Sequence, residues 1–357
     1  MADPLIGGLP LVSLSAAPTK AGPFIVSAVV APGRGMMLVQ ARVRLPDGRE
    51  SDLLATPDLG EVARRLSGGP DDFAGNQSFA VGGAILLPFA NRIRGRETPG
   101  AREIETEVAG AKVRLPRNWG GKAPGAAQYA MHGLILDQVV PAYGQSDPAS
   151  VTARLQAGDF RGHWTGDSQV DFAWRLRGGG LQLRVGVTNA GETNLPIGIG
   201  WHPYFAVPSG RRDQVQLSLP ARTRLEVNNY DEVLPTGGRL PVAGTAYDFS
   251  SAGGRALSDL YLDDCFTDLE RGPSDRFEMG FDDPAAGLGL RITTESAAVK
   301  AVQAYAPPER PIVVLEPQFN WPDPYGAEWP SSADTGMALL PPGASTSYAV
   351  NVRLVAL

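Results

Sequence analysis

His202 stands in the segment Gly200-Trp201-His202-Pro203-Tyr204-Phe205, and Glu316 closes the apolar run Ile312 to Leu315 with Pro317 directly behind it. An imidazole and a carboxylate are the side chains most often used to pass protons near neutral pH, so the two together suit general acid–base chemistry. A carboxylate that ends Ile-Val-Val-Leu is expected to be at least partly buried, and burial raises its pKa toward the range of a useful base. Each residue also has a plainer reading. His202 sits among aromatics, where a structural histidine is common, and Glu316 at a sheet edge would be an ordinary solvated carboxylate.

Further polar residues fall where strands are expected to end. Asn91 and Arg92 follow the apolar run Ala84–Ala90. An arginine there either pairs with a surface carboxylate or offers its planar fork to a ligand's hydroxyl groups. His132 precedes Gly133, a residue that permits close backbone approach to a ligand. Asp263 and Asp264 are adjacent, so on a strand they face opposite sides and at most one serves a given pocket. His163 has no acidic partner in sequence range and reads as surface.

The elements that must position these residues follow a period of two. Leu181–Thr188, Gln214–Leu219, Arg222–Val227, Leu288–Thr293 and Ser347–Leu354 alternate apolar and polar residues, the pattern of half-buried strands. Asp47-Gly48 between two extended runs predicts a hairpin. One short helix is predicted over Asp58–Leu66, opened by Thr56-Pro57-Asp58. With 43 Gly and 31 Pro in 357 residues, turns are frequent, which favours a large β-sandwich of many short strands. No linker-like shift in composition interrupts the chain, so residues 1–357 are expected to form a single domain.

Composition narrows the function classes. A net charge of −6 and a pI of about 5.2 leave no basic stripe for nucleic acid. The single cysteine, Cys265, excludes an internal disulfide and a Cys-based metal site, and three histidines without zinc-type spacing argue against structural zinc. No apolar run has the length to span a bilayer, and no basic segment precedes the apolar N-terminal stretch, so a cytoplasmic location is expected.

Five motifs occur in a fixed order: Asn91-Arg92-Ile93, His132-Gly133, His202-x-Tyr204-Phe205, Asp263 ahead of an aromatic, and Glu316-Pro317. In this the chain resembles the aldose 1-epimerase (galactose mutarotase) family, from Asn91 almost to the C-terminus. Leu234–Gly237 with Gly244–Phe249, and Leu340–Ala344, resemble that family's connecting loop and last turn. The resemblance implies an all-β fold, a large antiparallel β-sandwich of the galactose mutarotase-like type. It implies an isomerase that interconverts the α and β anomers of a free hexose such as galactose or glucose. Glu316 matches the general base and His202 the general acid. Arg92 and His132 match residues that hold the sugar hydroxyls and ring-oxygen region, Asp263 the carboxylate on sugar hydroxyls, and Asn91 a neighbouring polar contact. Neither a metal nor an organic cofactor is implied, and the expected partner is the sugar alone, with the chain a monomer or homodimer.

Three other functions compete: a non-catalytic carbohydrate-binding protein, an epimerase for a phosphorylated or otherwise modified sugar, and a carbohydrate hydrolase or lyase, with Asp263 and Glu316 as the carboxylates of a glycosidase. A matched acid and base counts against the first, and a histidine as the best acid counts against the last. The chain departs from the family at Leu134, where many relatives carry a second glycine, and at Asp264, where relatives often carry histidine. The insertion over 116–129 is expected to narrow or cap the cleft. Gln318-Phe319-Asn320-Trp321 suggests an aromatic platform for a sugar face.

Overall fold

A computed structural model describes residues 4–17, 22–251 and 253–357. Met1–Asp3 and Pro18, which belong to the N-terminal stretch read as an untargeted start, lie outside them, as does Lys20. Two large antiparallel sheets dominate, one of eleven strands and one of nine. The strands that matter for the site lie side by side in the larger sheet, in the order Gly83–Leu86, Gly200–Ala206, Ile312–Gln318, Ala301–Ala306 and Leu262–Leu269. The antiparallel β-sandwich expected from the period-two pattern is the fold observed.

The alternating stretches become strands with small shifts at their ends. Leu181–Thr188 lies within Gly180–Asn189, Arg222–Val227 within Ala221–Val227, Leu288–Thr293 within Leu288–Thr294 and Ser347–Leu354 within Ser345–Ala356. Gln214–Leu219 is shorter than its pattern, because Arg212–Gln214 turns as a 3-10 helix before Gln216–Ser218 pairs. Asp47-Gly48 joins Met37–Arg44 to Glu50–Asp52 as a hairpin, with Gly48 at φ +84°. The predicted helix is Leu59–Arg65, capped by the Asp58 carboxylate accepting from the Glu61 N–H at 3.0 Å. Phe24–Ala31 and Met37–Arg44 extend the same sheet beyond Gly83–Leu86, so the N-terminal residues build its edge.

Between the sheets, side chains from alternate positions interlock. Trp201, Phe205, Val313, Leu315, Val302, Ala304 and Phe266 face inward and join the main core. Trp201 meets Trp174 of the nine-stranded sheet edge-on at 5.7 Å, and Phe205 meets Phe281 at 6.3 Å. Gly83 is required opposite Trp201: a Cβ there would lie 2.8 Å from the indole nitrogen, which donates to the Gly83 carbonyl. Residues of opposite parity, His202, Tyr204, Val314, Glu316, Gln303 and Asp263, point away from the sandwich. A second layer of loops and short strands buries that outer face. It includes Phe79, Ala90, Tyr129, Met131 and Leu136, which pack with Ala84 and Leu86 in their own cluster.

Trp201 fixes which face of its strand is inward. Trp201→Ala is expected to cost about 3–5 kcal/mol through lost burial and a residual cavity. Urea unfolding checks this as a lowered midpoint with an unchanged slope.

Candidate active site

Pairing puts the acid–base candidates in one row. Gly200 lies opposite Gln318 and Tyr204 opposite Val314, so His202 falls opposite Glu316 in the same register. On its other side His202 pairs with Ala84. Glu316 pairs with Gln303, and Gln303 with Cys265. Opposed residues of antiparallel strands share a face. The row Ala84, His202, Glu316, Gln303, Cys265 therefore crosses five strands on the outer side of the sheet. His202 Nε2 lies 3.2 Å from Glu316 Oε1, and both residues are buried.

Asn91, Arg92 and His132 reach this row from the overlying layer. Arg92–Ile93 is a two-residue strand paired with Gln128–Met131, which leads directly into His132. Asn91, at φ +61°, donates its backbone N–H to His132 Nδ1 at 3.2 Å, and the His132 N–H donates to the Asn91 carbonyl at 2.8 Å. Arg92 Nη1 donates to Asn91 Oδ1 at 2.7 Å. Asn91 Nδ2 donates to Gln303 Oε1 at 2.9 Å, and Gln303 Nε2 donates to Asp263 Oδ1 at 2.7 Å. Every donor in this chain points from the guanidinium toward the carboxylate, and that order fixes both amides' orientations. Gln303, which sequence reasoning missed, connects the two charged ends. No sequence signal singled it out, because Ala301–Ala306 is buried almost throughout.

Asp263 and Asp264 do face opposite ways. Asp263 lines the cleft, whereas Asp264 is tied to Arg224 at 2.7 Å and accepts from the Tyr230 hydroxyl. Gly133 stands at φ +87°. It packs against the backbone of Leu87, whose oxygen would lie 2.2 Å from an added Cβ. The Gln318–Trp321 segment, expected as an aromatic platform, does not line this cleft. Phe319 is in the core, and Trp321 packs on Trp329 at 5.1 Å, beside a different cavity. Its part is to hold the Asn91 segment: Asn320 bonds both backbone groups of Ala90, and the Asp323 N–H donates to the Arg92 carbonyl.

The insertion over 116–129 forms a cleft wall. Trp119–Gly120 pairs with Gln128–Met131 as a hairpin, and Trp119, Gly120 and Lys122 line the opening. Its tip is latched by the Asp231 carboxylate, which accepts from the Lys122 and Ala123 N–H groups at 3.0 and 3.1 Å, and by Glu232, which accepts from Ala127 at 2.7 Å. The cleft holds about 310 Å³, with Arg92, His132, His202 and Asp263 at depth and Tyr230, Asp231, Tyr261, Tyr305 and Arg310 around the mouth.

Burial governs the titration of these groups. It pushes His202 down to about 3 and His132 well below its ordinary value, with the Arg92 charge adding to both. It raises Glu316 well above the usual carboxylate range, helped by Asp263 and opposed by Arg92. Asp263 rises to about 6, mainly by burial, against the pull of Arg92. The site thus favours a neutral His202–Glu316 pair holding one proton between Nε2 and Oε1. His202 Nδ1 and Glu316 Oε2 are buried without partners. Among the described residues, His132, His202 and Glu316 are a group that could hold a metal, with ligating atoms within 4.8 Å of one another. Asn91 donating to His132 Nδ1 leaves Nε2 carrying that ring's proton, so His132 offers a donor where a cation would need a lone pair. The set suits ligand oxygens better.

The family model described as aldose 1-epimerase matches residues 57–352. The solved structure of a galactose mutarotase-like protein from Clostridium acetobutylicum superposes with a TM-score of 0.73 at 16% identity, over 97% of this chain and 99% of that one. That of a GalM/aldose epimerase homologue from Caenorhabditis elegans gives 0.71 at 19% identity, over the same shares. At such identities the likeness shows the fold. A 50-residue stretch is 42% identical to the uncharacterised protein YphB of Escherichia coli K12, and covers 14% of this chain and 17% of that protein's length. No helix among the described residues is long and apolar enough to cross a membrane.

Asp263 is expected to titrate near pH 6, which carboxyl carbon shifts in NMR would report. Arg92→Met should move that midpoint upward. Because the folded value lies above the unfolded one, Asp263 costs stability above pH 6, and that cost vanishes as pH falls toward 3.8. Asp263→Asn should remove this slope from the pH dependence of unfolding free energy.

Proposed function

The chain belongs to the aldose 1-epimerase family, and from that premise we propose that it interconverts the α and β anomers of a free hexose such as galactose or glucose. Glu316 is the general base, His202 the general acid, and Asn91, Arg92, His132 and Asp263 bind the sugar. The function is of the mutarotase type and the protein an isomerase. The observation that supports the residue roles is the buried 3.2 Å contact of His202 Nε2 with Glu316 Oε1, in which His202 lines the cleft and Glu316 lies behind that lining. Residues 1–357 are proposed to act as one domain.

The chemistry needs one acid and one base. The Glu316 carboxylate takes the proton of the anomeric hydroxyl as the bond from C1 to the ring oxygen breaks. The ring oxygen keeps that electron pair and takes a proton from the His202 imidazolium. An open-chain aldehyde then lies beside a protonated Glu316 and a neutral His202. Rotation about C1–C2 turns the other face of the carbonyl toward the hydroxyl. Closure reverses both transfers, so the pair ends with the proton inventory it began with. The same single proton, moved across the 3.2 Å contact, converts the neutral pair of the empty site into the ion pair that starts the reaction. Arg92 favours the carboxylate form of Glu316, since its charge opposes the rise in that pKa, whereas Asp263 adds to the rise and Arg92 adds to the fall at His202. His132, with Nδ1 occupied, presents its Nε2–H to a sugar oxygen.

Glu316→Gln and His202→Asn should each slow anomerisation by about 10²–10⁴-fold, the range for losing a positioned acid or base. Polarimetry on freshly dissolved α-D-galactose and α-D-glucose measures this. Turnover within a few-fold of the parent in either variant would remove that residue from its role.

A further inference from the structure

The buried guanidinium of Arg92 rests on two neutral groups. Nη1 donates to Asn91 Oδ1 at 2.7 Å, and Nε donates to the Tyr129 hydroxyl at 3.3 Å. A tyrosine hydroxyl has one hydrogen to give. Tyr129 gives its own to the Glu232 carbonyl at 2.8 Å, so Arg92 meets the oxygen's lone pairs. With Nε and Nη1 engaged, Nη2 is left for a sugar oxygen. The Tyr129 ring is fully buried, with its centroid 5.6 Å from the guanidinium carbon.

Both partners of this hydroxyl belong to the cleft wall. Tyr129 lies in the insertion over 116–129, on the middle strand of a three-stranded sheet. It pairs with Trp119 on one side, and the next two residues pair with Ile93 and Arg92 on the other. Glu232 lies in the 228–234 loop, which side-chain bonds stiffen. Asn229 Oδ1 accepts from the Asp231 and Glu232 N–H groups at 2.9 and 2.8 Å, and Asn228 Oδ1 accepts from Leu234 at 3.0 Å. Tyr230 anchors the loop to Asp264, next to Asp263, at 3.1 Å. The loop whose two carboxylates latch the hairpin tip therefore also meets Tyr129 with a carbonyl. Hairpin and loop fit closely: a Cβ on Gly121 would lie 2.7 Å from Asp231 Oδ2 and 2.9 Å from Glu232 Cγ.

We propose that Tyr129 is a positioning residue for Arg92, through which docking of the hairpin on the 228–234 loop sets the guanidinium for the sugar. This rests on the reading that Arg92 binds the sugar. Asn91 holds Nη1 whatever the wall does, because Asn91 is itself tied to His132 and Gln303. One bond leaves the planar fork free to swing about it, and a second fixes the plane. The Tyr129 hydroxyl supplies that second bond only while the Glu232 carbonyl takes its proton. When the loop withdraws, the hydroxyl turns, and Nε loses its acceptor where water scarcely reaches it, which is costly for a buried charge. Tyr129 also packs with Phe79, Ala84, Leu86 and Met131, a part that phenylalanine would fill equally well.

Tyr129→Phe keeps the ring and removes the hydroxyl alone. It should raise KM for galactose or glucose about tenfold, the worth of one hydrogen bond to a charged group, with kcat little changed. Asp231→Ala, at the hairpin tip, should raise KM by a smaller factor, and the double variant should be no worse than Tyr129→Phe alone. The Arg92 Nε–H resonance, assigned by its loss in Arg92→Lys, reports on the sugar-free protein. Its hydrogen exchange should quicken about tenfold in Tyr129→Phe and also quicken in Asp231→Ala, while the amides of Gly200–Ala206 keep their protection. Unchanged KM or unchanged Nε–H exchange in Tyr129→Phe would overturn the positioning role. Additive effects of the two substitutions would overturn the link to the wall. Failure to accelerate either sugar would overturn the anomerisation reading instead, and the Nε–H exchange would still decide what holds Arg92.

Discussion

The site depends on the register between Gly200–Ala206 and Ile312–Gln318. Side chains on a strand alternate faces, so a one-residue slip of either strand would turn its own His202 or Glu316 into the sandwich and expel its Trp201 or Leu315. Such a slip is strongly disfavoured, because Trp201 is locked between Trp174, Phe205 and the Gly83 carbonyl. Core packing on one face therefore specifies the His202–Glu316 contact on the other. Pro203 and Pro317 sit beside His202 and Glu316 and have no N–H to give the ladder. Register is carried instead by the flanking pairs, Gly200 with Gln318 and Tyr204 with Val314.

A second dependence runs through the overlying layer. Arg92 and His132 belong to segments too short to hold themselves: a two-residue strand and the end of a four-residue one. They are fixed by side chains far away in sequence. Asn320 holds Ala90, Asn91 ties His132 and Arg92 together, and Gln303 carries the hydrogen-bonded chain to Asp263. A buried polar network of this kind stabilises only when each member is satisfied. Here each amide uses both ends, and the charged termini dictate which end faces which way.

The strands were legible because one face of each meets the core and the other meets water or the polar outer layer, which writes a period of two into the chain. His202 and Glu316 could be nominated because each breaks an otherwise apolar or aromatic context. Ile312–Gln318 was less transparent: it is buried on both faces, so its sequence reads as a continuous apolar run and conceals which residues share a side with Glu316. Gln303 left no mark, since its importance lies in two partners at sequence separations of 212 and 40. The aromatic segment after Glu316 misled for a related reason. Aromatic residues near a buried carboxylate serve a core as readily as a ligand, and only the turn at Asn320 decides that Phe319 goes inward while Trp321 meets Trp329.

Burial pushes His202 and Glu316 toward their neutral forms. Under the proposed roles the pair is carboxylate and imidazolium before ring opening and carboxylic acid and imidazole after it, so an environment that disfavours charge would stabilise the opened state, which in water is the scarce one. Arg92 acts unevenly on that bias: its charge opposes the rise of Glu316 but adds to the fall of His202, while Asp263 adds to the rise of Glu316. Glu316 is thus held between two opposed charges, and the hydrogen-bonded chain through Asn91 and Gln303 fixes where those charges lie.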